Sequence, residues 1–103
     1  MPTPLTNGTV LRIAKMFPLA DQEWVSTLLI EECGDNLPLL KPTESAAIER
    51  IRFAVLKLSG GDLNALRRAI DLAQVDWRDT VVAADFGSDA TAHNSWWPDT
   101  PAR

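Results

Sequence analysis

One stretch limits the fold more than any other: "ESAAIERIRFAVLKL", residues 44–58, preceded by Thr43 and followed by Ser59, Gly60 and Gly61. On a helix at about 100° per residue, Ala47, Ile48, Ile51, Ala54, Val55 and Leu58 form one broad apolar arc. Phe53 and Leu56 fall on a second side, which leaves Arg50 and Lys57, with Glu49 and Arg52 at the margins, to face water. A helix that is apolar on two sides is packed on two sides. The pattern therefore predicts an all-α fold: a compact bundle of four to five helices centred on this segment. Thr43 is its expected N-cap and the glycines its stop.

The rest of the chain extends that reading. Asp62 can cap "LNALRRAIDLAQ", whose stripe of Leu63, Leu66, Ala69, Ile70 and Ala73 folds back as a helical hairpin through Gly60-Gly61. In "VDWRDTVVAADFG", Asp76 and Asp79 match a helix start, Trp77, Val81 and Ala84 align inward, and Gly87 follows the end. Upstream, "ADQEWVSTLLIEECGDN" predicts a helix capped by Asp21 and stopped by Gly34, with Trp24, Val25, Leu28 and Leu29 on its buried face. Val10, Ile13, Ala14 and Phe17 recur at helical spacing before Pro18, although a strand over Val10–Ile13 competes. Between these, "LPLLKPT" is a proline-punctuated connection, and residues 1–8 and 98–103 read as flexible ends of a single domain, 1–103.

Composition bounds the function classes. The net charge of −4 disfavours nucleic acid and anionic membranes, because counterion release rewards only a segregated basic face. No apolar run spans a bilayer, no export signal precedes the first helix, and the lone Cys33 allows no internal disulfide. The cytoplasm is the expected compartment. The run "LKLSGGDLNALRRAIDLAQVDWRDTVVAADFG" is similar in character to small helical bacterial proteins of unassigned role, and it carries no motif that transfers an activity.

Chemistry could sit in few places. "TAHNSWWPD", residues 91–99, holds the only histidine and two of the four tryptophans. If residues 90–97 are helical with Asp89 as cap, His93, Trp96 and Trp97 share one side, as a plug for the bundle or as a binding anchor. Glu31, Glu32 and Asp35 crowd the negative end of a helix beside Cys33. They are candidates for a divalent cation or a basic partner, unless an Arg or Lys from a neighbouring helix, such as Arg50 or Arg52, neutralises them. That acidic setting raises a thiol pKa, so Cys33 reads as a small core residue and not as a nucleophile. In "DWRD", Arg78 reads as solvated or paired locally. Asn64, Arg67 and Arg68 would face a DNA groove if the Gly-Gly hairpin were a helix-turn-helix.

The leading expectation is a non-enzymatic interaction or regulatory module, self-associating as a homodimer or binding another protein, with no cofactor. Its surface would be His93, Trp96 and Trp97, or a leftover apolar side of the 44–58 helix. The alternatives are an acid/base or metal-dependent enzyme joining His93 to Glu31, Glu32 or Asp35, and a DNA-binding regulator using Arg67 and Arg68.

Overall fold

The corner at Gly60 and Gly61 turns the chain because both residues take positive φ, +57° and +86°, where a side chain is strained. A Cβ on Gly61 would also stand 2.8 Å from the carbonyl oxygen of Met16. The computed structural model describes residues 3–44, 46–88 and 91–98, and among them every regular element is helical. These are α1 (Asn7–Met16), α2 (Leu19–Glu32), α3 (Ala47–Ser59), α4 (Leu63–Val75) and α5 (Trp77–Ala83), with 3-10 turns at Pro42–Glu44 and Ala92–Ser95. None of these helices is long and apolar enough to cross a membrane.

α3 is the hub. Ile51, Arg52, Phe53, Ala54, Val55 and Leu56 are buried in succession, so every side of the helix is covered. No apolar side of α3 is left over for a second chain, contrary to expectation. α4 returns along α3 from the glycine corner, capped by Asp62, whose carboxylate accepts the Ala65 N–H at 2.8 Å. Asp76 closes α4 and opens α5, accepting the Arg78 N–H at 3.0 Å, so a single extended residue separates the two helices. α5 ends at the Ala84 cap and Asp85 takes the left-handed conformation at φ 69°, a role the sequence had pointed to Gly87 for.

On the other side of α3, α1 and α2 form a second hairpin around Phe17-Pro18. α1 begins earlier than expected, because the Thr6 side chain accepts the Thr9 N–H at 3.2 Å as an N-cap. Residues 3–8 are thus not a loose lead, and Thr3 and Pro4 are held by Arg52. Residues 10–13 are helix, not strand, and Val10 and Ala14 face outward while Ile13 and Phe17 are buried. α2 starts at Leu19 after Pro18, with Asp21 in its first turn and no side-chain cap. Thr43 belongs to the 3-10 turn, and α3 starts at Ala47 without a side-chain cap.

Two buried guanidiniums tie the ends of the chain to this core. Arg52, expected at the solvent margin, is 1% exposed. It donates to the carbonyls of Cys33 at 2.9 Å, Pro4 at 2.9 Å and Thr3 at 2.7 Å. The Cys33 bond serves as the C-terminal cap of α2 that the sequence had placed at Gly34. Gly34 has no left-handed turn; its missing side chain makes room, since a Cβ there would lie 2.8 Å from Arg52 Nη2. Lys57 performs a related service for α5, donating to the Ala84 carbonyl at 2.8 Å. The accessible surface is 5869 Å², close to the ~5,700 Å² expected of a folded monomer of 11.3 kDa. One copy closes its own core.

Candidate functional site

The C-terminal turn is drawn onto α3 and α1. Glu49 and Phe53 stand one turn apart on α3, and His93 sits over them. Its Nε2 lies 3.2 Å from Glu49 Oε1, and its ring meets Phe53 edge-on at 5.1 Å between centroids. Phe86 closes the far side at 6.3 Å and packs on Trp96 at 6.2 Å. Arg50 holds the Phe86 carbonyl through Nε at 3.1 Å and again through Nη2. Arg12, the second buried guanidinium at 2% exposure, donates to the carbonyls of Trp96 at 3.0 Å, Asn94 at 3.3 Å and Gly8 at 3.0 Å. Burial lowers the Arg12 pKa, and nearby Glu49 opposes that shift.

This arrangement separates the three residues that the sequence had grouped. The turn is 3-10, so His93 is buried at 5% exposure, Trp96 is half-buried, and Trp97 is 42% exposed. The Arg12 guanidinium lies over the Trp97 ring at 3.6 Å from its centroid and over the Phe53 ring at 4.0 Å. Asp89, the expected cap, and Asp99 lie outside the described residues. A general base needs an open path between its lone pair and a substrate proton. His93 has Nε2 engaged with Glu49 and Nδ1 buried without a hydrogen-bond partner. Ser95, its neighbour, is occupied with the Ala92 carbonyl at 3.1 Å. The His93 cluster closes the bundle.

The acidic candidates do not converge on His93. Glu32 is gripped by Arg67 through two bonds of 2.9 and 2.7 Å, which hold its carboxyl below the usual range. Asp35 accepts from the Thr3 hydroxyl, and Glu31 is exposed. An arginine of a neighbouring helix does neutralise part of the cluster: Arg67 of α4 pairs with Glu32, and the Arg52 charge acts on Asp35. Among the described residues no group of three or more His, Cys, Asp or Glu is placed to hold a metal ion. Cys33 is fully buried, and burial pushes its thiol up to about 12.

Arg67 also bonds Asp71, at 3.0 Å, so the guanidinium expected to read DNA is committed to two carboxylates. Asn64 and Arg68 remain exposed beside it. Arg78 is held by Asp76 at 2.9 Å, the local pairing that "DWRD" implied.

What the sequence did not mark is the outside of the α1–α2 hairpin. Of the eleven exposed positions between Asn7 and Glu32, three are charged: Lys15, Glu23 and Glu31. Val10, Leu11, Leu19 and Trp24 are exposed there, Trp24 at 56%. The α4–α5 side is the opposite case. Of eleven exposed positions between Gly60 and Ala83, six are charged: Asp62, Arg67, Arg68, Asp71, Arg78 and Asp79. Trp24 was expected inside, on the Val25–Leu28–Leu29 arc, but it lies at the edge of that arc and stays in solvent. The missed signal is the scatter of apolar residues around α2, where Leu19 and Trp24 fall outside the buried stripe. No protein-family model, curated protein or solved structure matches this chain.

Proposed function

We propose that this chain is a non-enzymatic interaction module that recognises protein through the outer face of the α1–α2 hairpin. One contrast carries the reading: three charges in eleven exposed positions on that hairpin, against six in eleven on α4–α5. Interface cores are depleted in Lys, Glu and Asp and enriched in aromatic side chains. Trp24 supplies the large, rigid anchor that dominates binding energy when it is desolvated. Trp97, stacked on α1's Arg12, adds aromatic surface at the border of the same helix. His93 and Trp96 serve this surface from behind, by holding the turn that carries Trp97. The setting is the cytoplasm, where a lone buried thiol such as Cys33 needs no partner.

A photo-reactive residue placed at position 24, and separately at position 82, tests this inside the producing cells. A covalent protein adduct from position 24 and none from position 82 is the expected pattern. The reverse pattern, or no adduct at 24, would overturn the reading.

A further inference from the structure

We infer that the C-terminal turn, residues 91–98, is a displaceable strap: the built-in occupant of a cradle that takes a tryptophan-bearing segment of another protein. The inference concerns a different surface from the hairpin face and does not depend on it.

The cradle is assembled without the strap. Glu49 and Phe53 come from α3, Arg12 from α1, and Phe86 follows α5. Phe86 is fixed by its own N–H on the Val81 carbonyl at 2.9 Å, by Arg50 on its carbonyl, and by Lys57 at 4.8 Å over its ring. Arg12 keeps one bond inside its own helix, to the Gly8 carbonyl at 3.0 Å. These supports stay when residues 91–98 lift away. The guanidinium, the carboxylate and the two rings are therefore preorganised around one place.

The strap is held lightly for what it covers. Its amide bonds run inside the segment, from Asn94 to the Thr91 carbonyl and from Trp96 to the His93 carbonyl, both at 3.1 Å. Arg12 joins its main chain to the bundle, through the Asn94 and Trp96 carbonyls. Docking also carries a cost. The Glu49 carboxylate only accepts, so His93 Nε2 carries the hydrogen, and the buried Nδ1 lone pair finds no donor among the described residues. Water supplies that donor once the strap lifts, which weights the balance towards local opening.

The present occupant defines the next one. The cradle reads two alternate main-chain carbonyls and the tryptophan ring that follows them, 3.6 Å from Arg12. A second copy offers only the same strap, already tethered beside its own cradle at high effective concentration, so exchange between copies gains no contact. A different protein that presents the carbonyls and the tryptophan without an orphaned nitrogen docks without that cost.

Native-state hydrogen exchange of the full chain, combined with titration of a fluorescent synthetic peptide of residues 91–98, tests the inference. The Asn94 and Trp96 amides should exchange through an opening that low denaturant leaves unchanged, while α3 amides follow global unfolding. His93→Ala loosens the strap and keeps Arg12, so the peptide should bind roughly tenfold more tightly than to the wild type. Trp97→Ala, at a position 42% exposed, should give a smaller rise with unchanged circular dichroism. Arg12→Met also frees the strap but removes the group that reads the peptide, so binding should be lost. Exchange at Asn94 and Trp96 with the denaturant dependence of α3 would overturn the inference. Equal peptide affinity in the wild type, His93→Ala and Trp97→Ala would do the same, as would Arg12→Met binding as tightly as His93→Ala. Without peptide, His93→Ala should keep a mass of 11.3 kDa; a doubled mass would give the cradle to a second copy and overturn the choice of partner.

Discussion

The guanidinium of Arg12 lies 3.6 Å from the centre of the Trp97 ring, joining the first helix to the last described turn across most of the chain. The same side chain donates to the Asn94 and Trp96 carbonyls, so one residue both orients the turn and carries its exposed tryptophan.

That relationship predicts unequal costs for its two members. Arg12→Met keeps the aliphatic volume but leaves the carbonyls of Gly8, Asn94 and Trp96 without their donor. It should destabilise the fold by about 2–3 kcal/mol and expose residues 91–98 to proteolysis. Trp97→Ala removes only a partly exposed stack and should cost about 1 kcal/mol, with the turn still protected. Urea unfolding with limited proteolysis reads both. Equal costs would show that the carbonyl bonds are not what docks the turn.

Gly34 and Arg52 form a second coupled pair. A Cβ at position 34 would stand 2.8 Å from Arg52 Nη2, and the guanidinium is fixed by three carbonyls. Gly34→Ala should cost about 1–2 kcal/mol in the wild type and much less in an Arg52→Met background. A double-mutant cycle with no coupling would mean that Gly34 is required for some other reason.

Cys33 gives a pH-dependent test. Its thiol is raised to about 12 by burial, the nearby Arg52 charge acting in the opposite direction. The folded state therefore favours the protonated form. That contribution to stability is present in full below the unfolded thiol value of about 8.5 and is lost as pH rises through it towards about 12 in the fold. The native thiol should react with a disulfide reagent at pH 8 only at the rate of opening, and Cys33→Ala should reduce the alkaline loss of stability. Rapid native labelling would contradict the burial.

The parts of this fold legible in the sequence are those written in local periodicity and turn chemistry. The two-sided arc of residues 44–58, the Gly60-Gly61 corner, and the Asp62 and Asp76 caps needed no tertiary information. Arg52 shows where that legibility stops. Its position at the margin of a helical arc says solvent, yet three carbonyls distant in sequence make its burial tolerable. Tertiary carbonyl acceptors leave no trace in periodicity. The same holds for Trp24, whose exposure depends on where α2 rests and not on its neighbours in the chain. "TAHNSWW" gathered rare residues and so drew attention, but His93 is spent on Glu49 and the phenylalanines, and the surface the fold leaves open lies at the other end of the sequence.

Position-resolved hydroxyl-radical footprinting of the wild-type chain inside the producing cells and after purification tests the central claim most directly. The account predicts that protection in the cell, relative to the purified chain, is confined to the hairpin face, at Val10, Leu11, Leu19 and Trp24, with Val75 and Val82 unchanged. Protection that appears at Val75 and Val82 while Trp24 stays fully reactive would contradict it.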